Sequence, residues 1–273
     1  MQHSMSVVQR ISYPLFLLMI VAVIAGCASF GEEKDETEGW SAQQLYNEAK
    51  QKRMDGRYED ALEYYKKLES RYPFERYTQQ GQLESIYAYY KFDEPDRAIA
   101  SAERFIKLYP RHPYVDYAYY LKGITNFNLG KGFFDKYLPV DPSQRDPGAA
   151  LKAFQDFSEL IERFPTSKYA EDAHQRMVYL RNNLASHEVH VADYYMRRGA
   201  YVAAANRGKY VIENYREAPA TADALFIMIK AYKLMELDQL SRETFRVLQL
   251  NFPNHPDLPE AKRWISGRGI KMK

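Results

Sequence analysis

"LYNEAKQKRMDGRYEDALEYYKKLESRYP", residues 45–73, carries two helical runs separated by one glycine. Leu45 and Ala49 lie a helical turn apart in the first run, Ala61, Tyr65 and Leu68 keep the same spacing in the second, and Gly56 stands between them. The small Ala49 and Ala61 let two antiparallel helices approach closely, and Tyr65 and Leu68 fill the seam. Pro73 ends the second helix, because its ring has no N–H to donate and clashes with the preceding turn.

The same rear half returns as Ala98, Ala102, Phe105 and Pro110, then as Ala153, Phe157, Leu160 and Pro165, and again as Ser241, Phe245, Leu248 and Pro253. A further copy, "RGAYVAAANRGKYVIENYR" (198–216), keeps Gly199 and Ala204 but has Arg216 where the proline belongs. This spacing is that of the tetratricopeptide repeat, a helix-turn-helix unit of about 34 residues. The expected fold class is therefore all-α, a tetratricopeptide-repeat solenoid of about five units. No segment alternates with period two for long enough to suggest a sheet.

Two irregularities interrupt the array. "LGKGFFDKYLPVDPSQRDP" (129–147) has three prolines and two glycines, which predicts a loop inserted between the helices of the third repeat. "SKYAEDAHQRMVYLRNNLASHE" (167–188) keeps Tyr169, Ala173, Met177 and Leu180 at helical spacing, which predicts extra helix between the third and fourth repeats.

Ahead of the repeats, "VIAGCASF" (23–30) holds Cys27, the chain's one cysteine. It follows Arg10 and the apolar run Leu15–Ala25, the layout of a secretory signal peptide with a core too short to span a bilayer comfortably. Ile24-Ala25-Gly26-Cys27 resembles the bacterial lipobox, which implies cleavage before Cys27 and acylation of it. Residues 1–26 are then a lipoprotein signal peptide. Residues 27–39, the lipidated cysteine and "ASFGEEKDETEG", form a flexible acidic tether. The remaining expected segments are amino-terminal repeats at 40–128, the inserted loop at 129–147, carboxy-terminal repeats at 148–257, and a short helix with a basic tail at 258–273. Ala28 follows the cysteine rather than an aspartate, and the resemblance therefore points to the outer membrane, with the body in the periplasm.

Charge and motifs point away from several functions. Of 38 basic side chains, loss of Arg10 leaves 37 against 36 acidic ones, a balance that favours no nucleic acid. "HEVH" (187–190) has its histidines three apart, whereas the zinc protease helix needs four, and no metal is expected there. "NLGKGFF" has Thr125 and Gly132 at two positions where a phosphate loop needs glycine and serine or threonine. No G-x-S-x-G elbow occurs. The expectation is a binding protein with no catalytic residues, no metal and no cofactor beyond the lipid on Cys27.

The first helix of each unit lines the binding face of such arrays. Repeat geometry places Tyr46, Lys50 and Arg53 there from the first unit, Leu83, Tyr87, Tyr90 and Lys91 from the second, and Tyr117, Tyr120, Ile124 and Phe127 from the third. With 24 tyrosines against 2 tryptophans in the chain, this is an aromatic surface with a few cations. It suits an extended peptide with aromatic side chains, though tyrosine also serves as filler between helices. Asp193, Arg197, Asp223, Lys230 and Lys233 make the later first helices charged, which reads either as a docking surface for a folded partner or as a solvated face.

"RYPFERYTQQGQLESIYAYYK", "HPYVDYAYYLKGITNF", "DPSQRDPGAALKAFQDFSELIERFP" and "HEVHVADYYMRRGAYVAAANR", together with the lipobox, resemble the BamD (ComL) family of outer-membrane assembly lipoproteins. The likeness runs from about Gln43 to Phe252 and includes the irregular insertion. It implies a non-enzymatic subunit of the β-barrel assembly machine. In that family the early repeats are associated with the aromatic-ending carboxy-terminal signals of unfolded outer-membrane proteins. The later repeats are associated with the periplasmic domains of the barrel subunit and with companion lipoproteins. The loop, shaped here by Pro139, Asp141, Asp146 and Pro147, is associated with a companion lipoprotein. The alternative is a repeat lipoprotein that recruits peptidoglycan hydrolases.

Overall fold

The computed structural model describes residues 35–129 and 141–267. The signal peptide at 1–26, Cys27, the tether through residue 34, Pro139 with the rest of 130–140, and the tail at 268–273 lie outside the described residues.

Eleven α-helices follow one another, with no strand among the described residues. They pair as α1 (Ala42–Met54) with α2 (Tyr58–Arg71), α3 (Arg76–Lys91) with α4 (Pro95–Leu108), and α5 (Val115–Leu129) with α6 (Gly148–Arg163). Then come α7 (Ala170–Arg197) with α8 (Tyr201–Asn214), α9 (Thr221–Leu234) with α10 (Asp238–Asn251), and the closing α11 (Leu258–Ile265). Each helix packs on the next, and the first helices α1, α3 and α5 also touch in sequence, as do α7 and α9. This is the tetratricopeptide arrangement of five paired units.

The seams follow the small-residue pattern. Ala49 and Ala61 are fully buried between α1 and α2, and Ala192 and Ala204 between α7 and α8. Gly123 does the same work between α5 and α6, where an added Cβ would lie 2.6 Å from the Phe157 ring. In the fifth unit Ser241 takes the small position and donates its hydroxyl to the Ile229 carbonyl at 3.0 Å, so a buried polar group has its partner.

Every second helix ends alike. Tyr72, Tyr109, Phe164, Tyr215 and Phe252 sit at the C-cap with φ near −131° and donate their N–H to the carbonyl four residues back. Arg216, in place of proline, does not change this exit: Tyr215 leaves the helix at φ −131° and ψ 36°. The turns inside the units share a left-handed residue, Gly56 and Gly199 in the first and fourth, Asp93 and Glu236 in the second and fifth.

The two irregularities keep the character of their sequence pattern, helix in the one and loop in the described part of the other. The extra helical sequence, from Ala170, continues through the first helix of the fourth unit to give α7, 28 residues long. No glycine or proline stands between Ala170 and Arg197 to break it. The end of the inserted loop carries a short 3-10 turn, Pro142–Gln144. Ahead of α1, the Asp35 carboxylate accepts from the Thr37 N–H at 3.1 Å and its hydroxyl at 2.7 Å. The acidic tether therefore ends in a side-chain-capped turn.

Candidate functional site

Glu84 of α3 is the centre of a polar knot between the first two units. Its carboxylate accepts from the Tyr46 hydroxyl at 2.8 Å, the Tyr65 hydroxyl at 2.7 Å, Gln80 Nε2 at 3.0 Å and Arg53 Nε at 3.1 Å. Burial pushes this carboxyl up, but the hydrogen bonds from Gln80, Tyr65 and Tyr46 and the Arg53 charge outweigh it and hold Glu84 below the usual range. Burial and the same carboxylate push the Tyr46 and Tyr65 hydroxyls well up, so both remain donors.

Arg53, Gln80, Leu83, Glu84, Tyr87, Tyr114, Tyr117 and Tyr169 enclose a groove of about 350 Å³ on the face made by the first helices. The Arg53 guanidinium lies 5.9 Å over the Tyr87 ring, and Lys91 lies 5.7 Å from the same ring. Tyr169, at the N-terminus of α7, stacks at 5.3 Å on Tyr117 and at 4.6 Å on Tyr120. Asp172 accepts the Tyr120 hydroxyl at 2.7 Å; burial first and this bond second push that hydroxyl up to about 12.

Of the residues expected on the binding face, Arg53, Leu83, Tyr87 and Tyr117 come together in this groove. Leu83 is also part of the core. Tyr46 stands behind it, its hydroxyl committed to Glu84, and its ring packs at 5.5 Å on Tyr77. Tyr90 accepts from Asn128 Nδ2 at 2.7 Å, and Lys50 and Lys91 are exposed. Tyr120 joins through Tyr169. Ile124 and Phe127 pack against the core around Phe157, Phe127 beneath the Arg176 guanidinium at 4.9 Å. Gln80, Glu84, Tyr114 and Tyr169 line the groove without having been expected on the binding face. Glu84 lies one position past Leu83 on α3, and Tyr169 is the N-cap of α7, whose start the repeat pattern does not place.

The later candidates are held within the chain. Asp141 accepts the Ser143 N–H at 2.9 Å and hydroxyl at 2.7 Å, and Asp146 accepts the Gly148 N–H at 2.7 Å, so both shape the loop's return to α6. His187 donates Nδ1–H to the Ser143 carbonyl at 2.8 Å, and His190 Nδ1 lies 3.3 Å from the Ser143 hydroxyl. The "HEVH" histidines thus pin the loop to α7. Asp193 pairs with Arg197, Lys233 with Asp238, and Lys230 lies 4.3 Å over Phe226. Asp223, His255 and Asp257 lie close enough to hold a cation. His255 Nδ1, however, accepts the Asp257 N–H at 3.3 Å, as His112 Nδ1 accepts the Tyr114 N–H at 3.2 Å, so this is a repeated turn and its Nε2 faces Asp223 at 3.2 Å.

Among the described residues no helix is long and apolar enough to cross a membrane. Paired helices whose first members form an aromatic groove with cationic edges define a tetratricopeptide-repeat protein. The chain belongs to the YfiO outer membrane lipoprotein family, whose model matches residues 39–248. It is 45% identical over 250 residues to outer membrane protein assembly factor BamD of Neisseria gonorrhoeae, covering 90% of this chain and 94% of that one. The proteins of that name from Xylella fastidiosa and Vibrio cholerae are each 37% identical, covering 91% and 86% of this chain and 84% and 96% of their own. Among solved structures, TPR-like kinesin light chain repeats from Podosopora anserina overlay with a TM-score of 0.34 at 13% identity, over 78% of this chain and 96% of that one. So distant a likeness adds nothing to a fold that rests on the helix pairing above.

Proposed function

We propose that this chain is a non-enzymatic, lipid-anchored subunit of the outer-membrane β-barrel assembly machinery, and that its first three units receive unfolded outer-membrane proteins. The groove around Arg53, Tyr87 and Tyr117 carries the reading. Its tyrosine walls offer faces to aromatic side chains, and Arg53, held by Glu84 through Nε and by Tyr65, sets a positive charge at the groove wall that suits a carboxylate or backbone carbonyl. The relatives named as outer membrane protein assembly factors support a role in that assembly; the partners in this reading are the periplasmic domains of the barrel subunit and companion lipoproteins. Cys27 would carry the lipid that keeps the body at the outer membrane, in the periplasm.

A photocrosslinking residue at Tyr87 or Tyr120 tests the placement in cells. Nascent barrel proteins captured there, and not by a probe on the exposed face of α4, support it; capture only on α4 refutes it. Co-purification of a barrel subunit from solubilised membranes tests the complex, and recovery of peptidoglycan hydrolases alone would overturn it. Cys27→Ala should abolish lipid labelling and release the protein from the membrane.

A further inference from the structure

The groove does not end at Tyr114 and Tyr169. The same two side chains also line a second cleft, of about 500 Å³, between the turn leading into α5 and the turn leading into α7. His112, Asp116, Arg163, Phe164, Pro165 and Lys168 contribute to its walls. Two clefts sharing a wall of the exposed Tyr114 and the half-buried Tyr169 make a continuous track, which fits an extended chain better than a compact ligand.

The charges of the second cleft are unequal. Asp116 has both oxygens engaged, one by the Tyr117 N–H at 2.9 Å and one by the Ser167 hydroxyl at 2.7 Å. His112 uses Nδ1 as an acceptor for Tyr114 and packs edge-on to Phe105 at 5.2 Å. Arg163 is shared with Glu159 at 2.9 Å. Lys168 lies 4.9 Å over the Tyr169 ring, and no carboxylate among the described residues pairs with it. The cleft therefore offers a cation at the point where the tyrosine track enters it.

We infer that one extended polypeptide segment occupies both clefts, with aromatic side chains near its end against Tyr87 and Tyr117 and an acidic side chain further back in the segment against Lys168. This rests on the reading of the first groove as a peptide site and adds a requirement to it: recognition extends beyond the terminal aromatic residues. An extended chain advances about 3.3 Å per residue, so a segment of about ten residues spans roughly 33 Å and one of about four residues roughly 13 Å.

Fluorescence anisotropy with the full chain in detergent tests this. The probes are a labelled peptide of about four residues with aromatic side chains and a terminal phenylalanine, and one of about ten residues that adds two glutamates upstream. The longer peptide should bind about tenfold tighter, and Lys168→Glu should remove about fivefold of that gain while leaving the short peptide unaffected. Replacing the peptide's glutamates by lysines should restore tight binding to Lys168→Glu, which a folding defect would not allow. Equal affinity for both lengths, or a long-peptide affinity indifferent to Lys168→Glu, overturns the two-cleft proposal and leaves the first groove standing. If neither peptide binds, the groove reading fails, and this inference falls with it.

Discussion

Arg53 of α1 reaches Glu84 of α3 with its Nε 3.1 Å from Oε2, and the same guanidinium lies 5.9 Å over Tyr87. One contact ties two units together while the other forms the groove wall, so the fold and the groove share a residue. The Glu84 side chain is 14% exposed, which keeps this pair largely out of bulk water.

Glu84 makes acid sensitivity predictable in sign. Its folded-state carboxyl lies below the ordinary glutamate value of about 4.3, so the stability it contributes is present above that value and is lost as pH falls through the folded one. Glu84→Gln should cost about 2 kcal/mol at neutral pH, and the difference from the parent protein should shrink in acid. Urea unfolding of both proteins between about pH 7 and pH 2 checks this; a gap independent of pH would count against it.

The stack of Tyr117, Tyr169 and Tyr120 should govern peptide affinity through ring faces. Tyr169→Phe keeps the 5.3 Å and 4.6 Å contacts and should bind peptides as the parent does. Tyr169→Ala removes them and should weaken binding about fivefold to tenfold, in line with roughly 0.5–1.5 kcal/mol for an aromatic pair. Anisotropy titration separates these outcomes, with helix content by circular dichroism as the control.

Glu236 holds φ at 60° in the turn of the fifth unit, where the first and fourth units place glycine. A side chain in this left-handed region costs about 1–2 kcal/mol, less for aspartate. Glu236→Gly should therefore raise stability by about 0.5–1 kcal/mol after the loss of chain entropy, and Asp93→Gly by less. The shift in urea midpoint measures both.

Gly123→Ala should destabilise by about 2 kcal/mol, because the new Cβ would meet the Phe157 ring at 2.6 Å in a close-packed seam. Adding Phe157→Leu should recover part of that loss, a coupling that a double-mutant cycle in urea reads directly.

Much of this architecture was legible in local pattern. Ala49 with Ala61, Ala192 with Ala204 and the aromatic C-caps keep the same spacing inside their units, and each works through neighbours close in sequence. Arg216 shows how tolerant that pattern is: the turn after Tyr215 keeps its shape without proline, because the Tyr215 N–H still reaches the Val211 carbonyl. The site was legible only in part. Arg53, Tyr87 and Tyr117 lie at repeat positions that face the groove, and the period exposes them. Tyr114 lies in a turn outside the period.

Spacing along the chain was sufficient for the paired helices, their number and the groove face, because helix periodicity and seam packing are set by residues a few turns apart. It could not show that Tyr169 closes the groove, that Glu84 gathers donors from α1, α2 and its own helix, or that His187 and His190 hold a loop 44 to 47 residues away. Those contacts depend on how successive units are rotated on one another. That rotation is the summed outcome of seams such as Gly123 against Phe157, and no single segment encodes it.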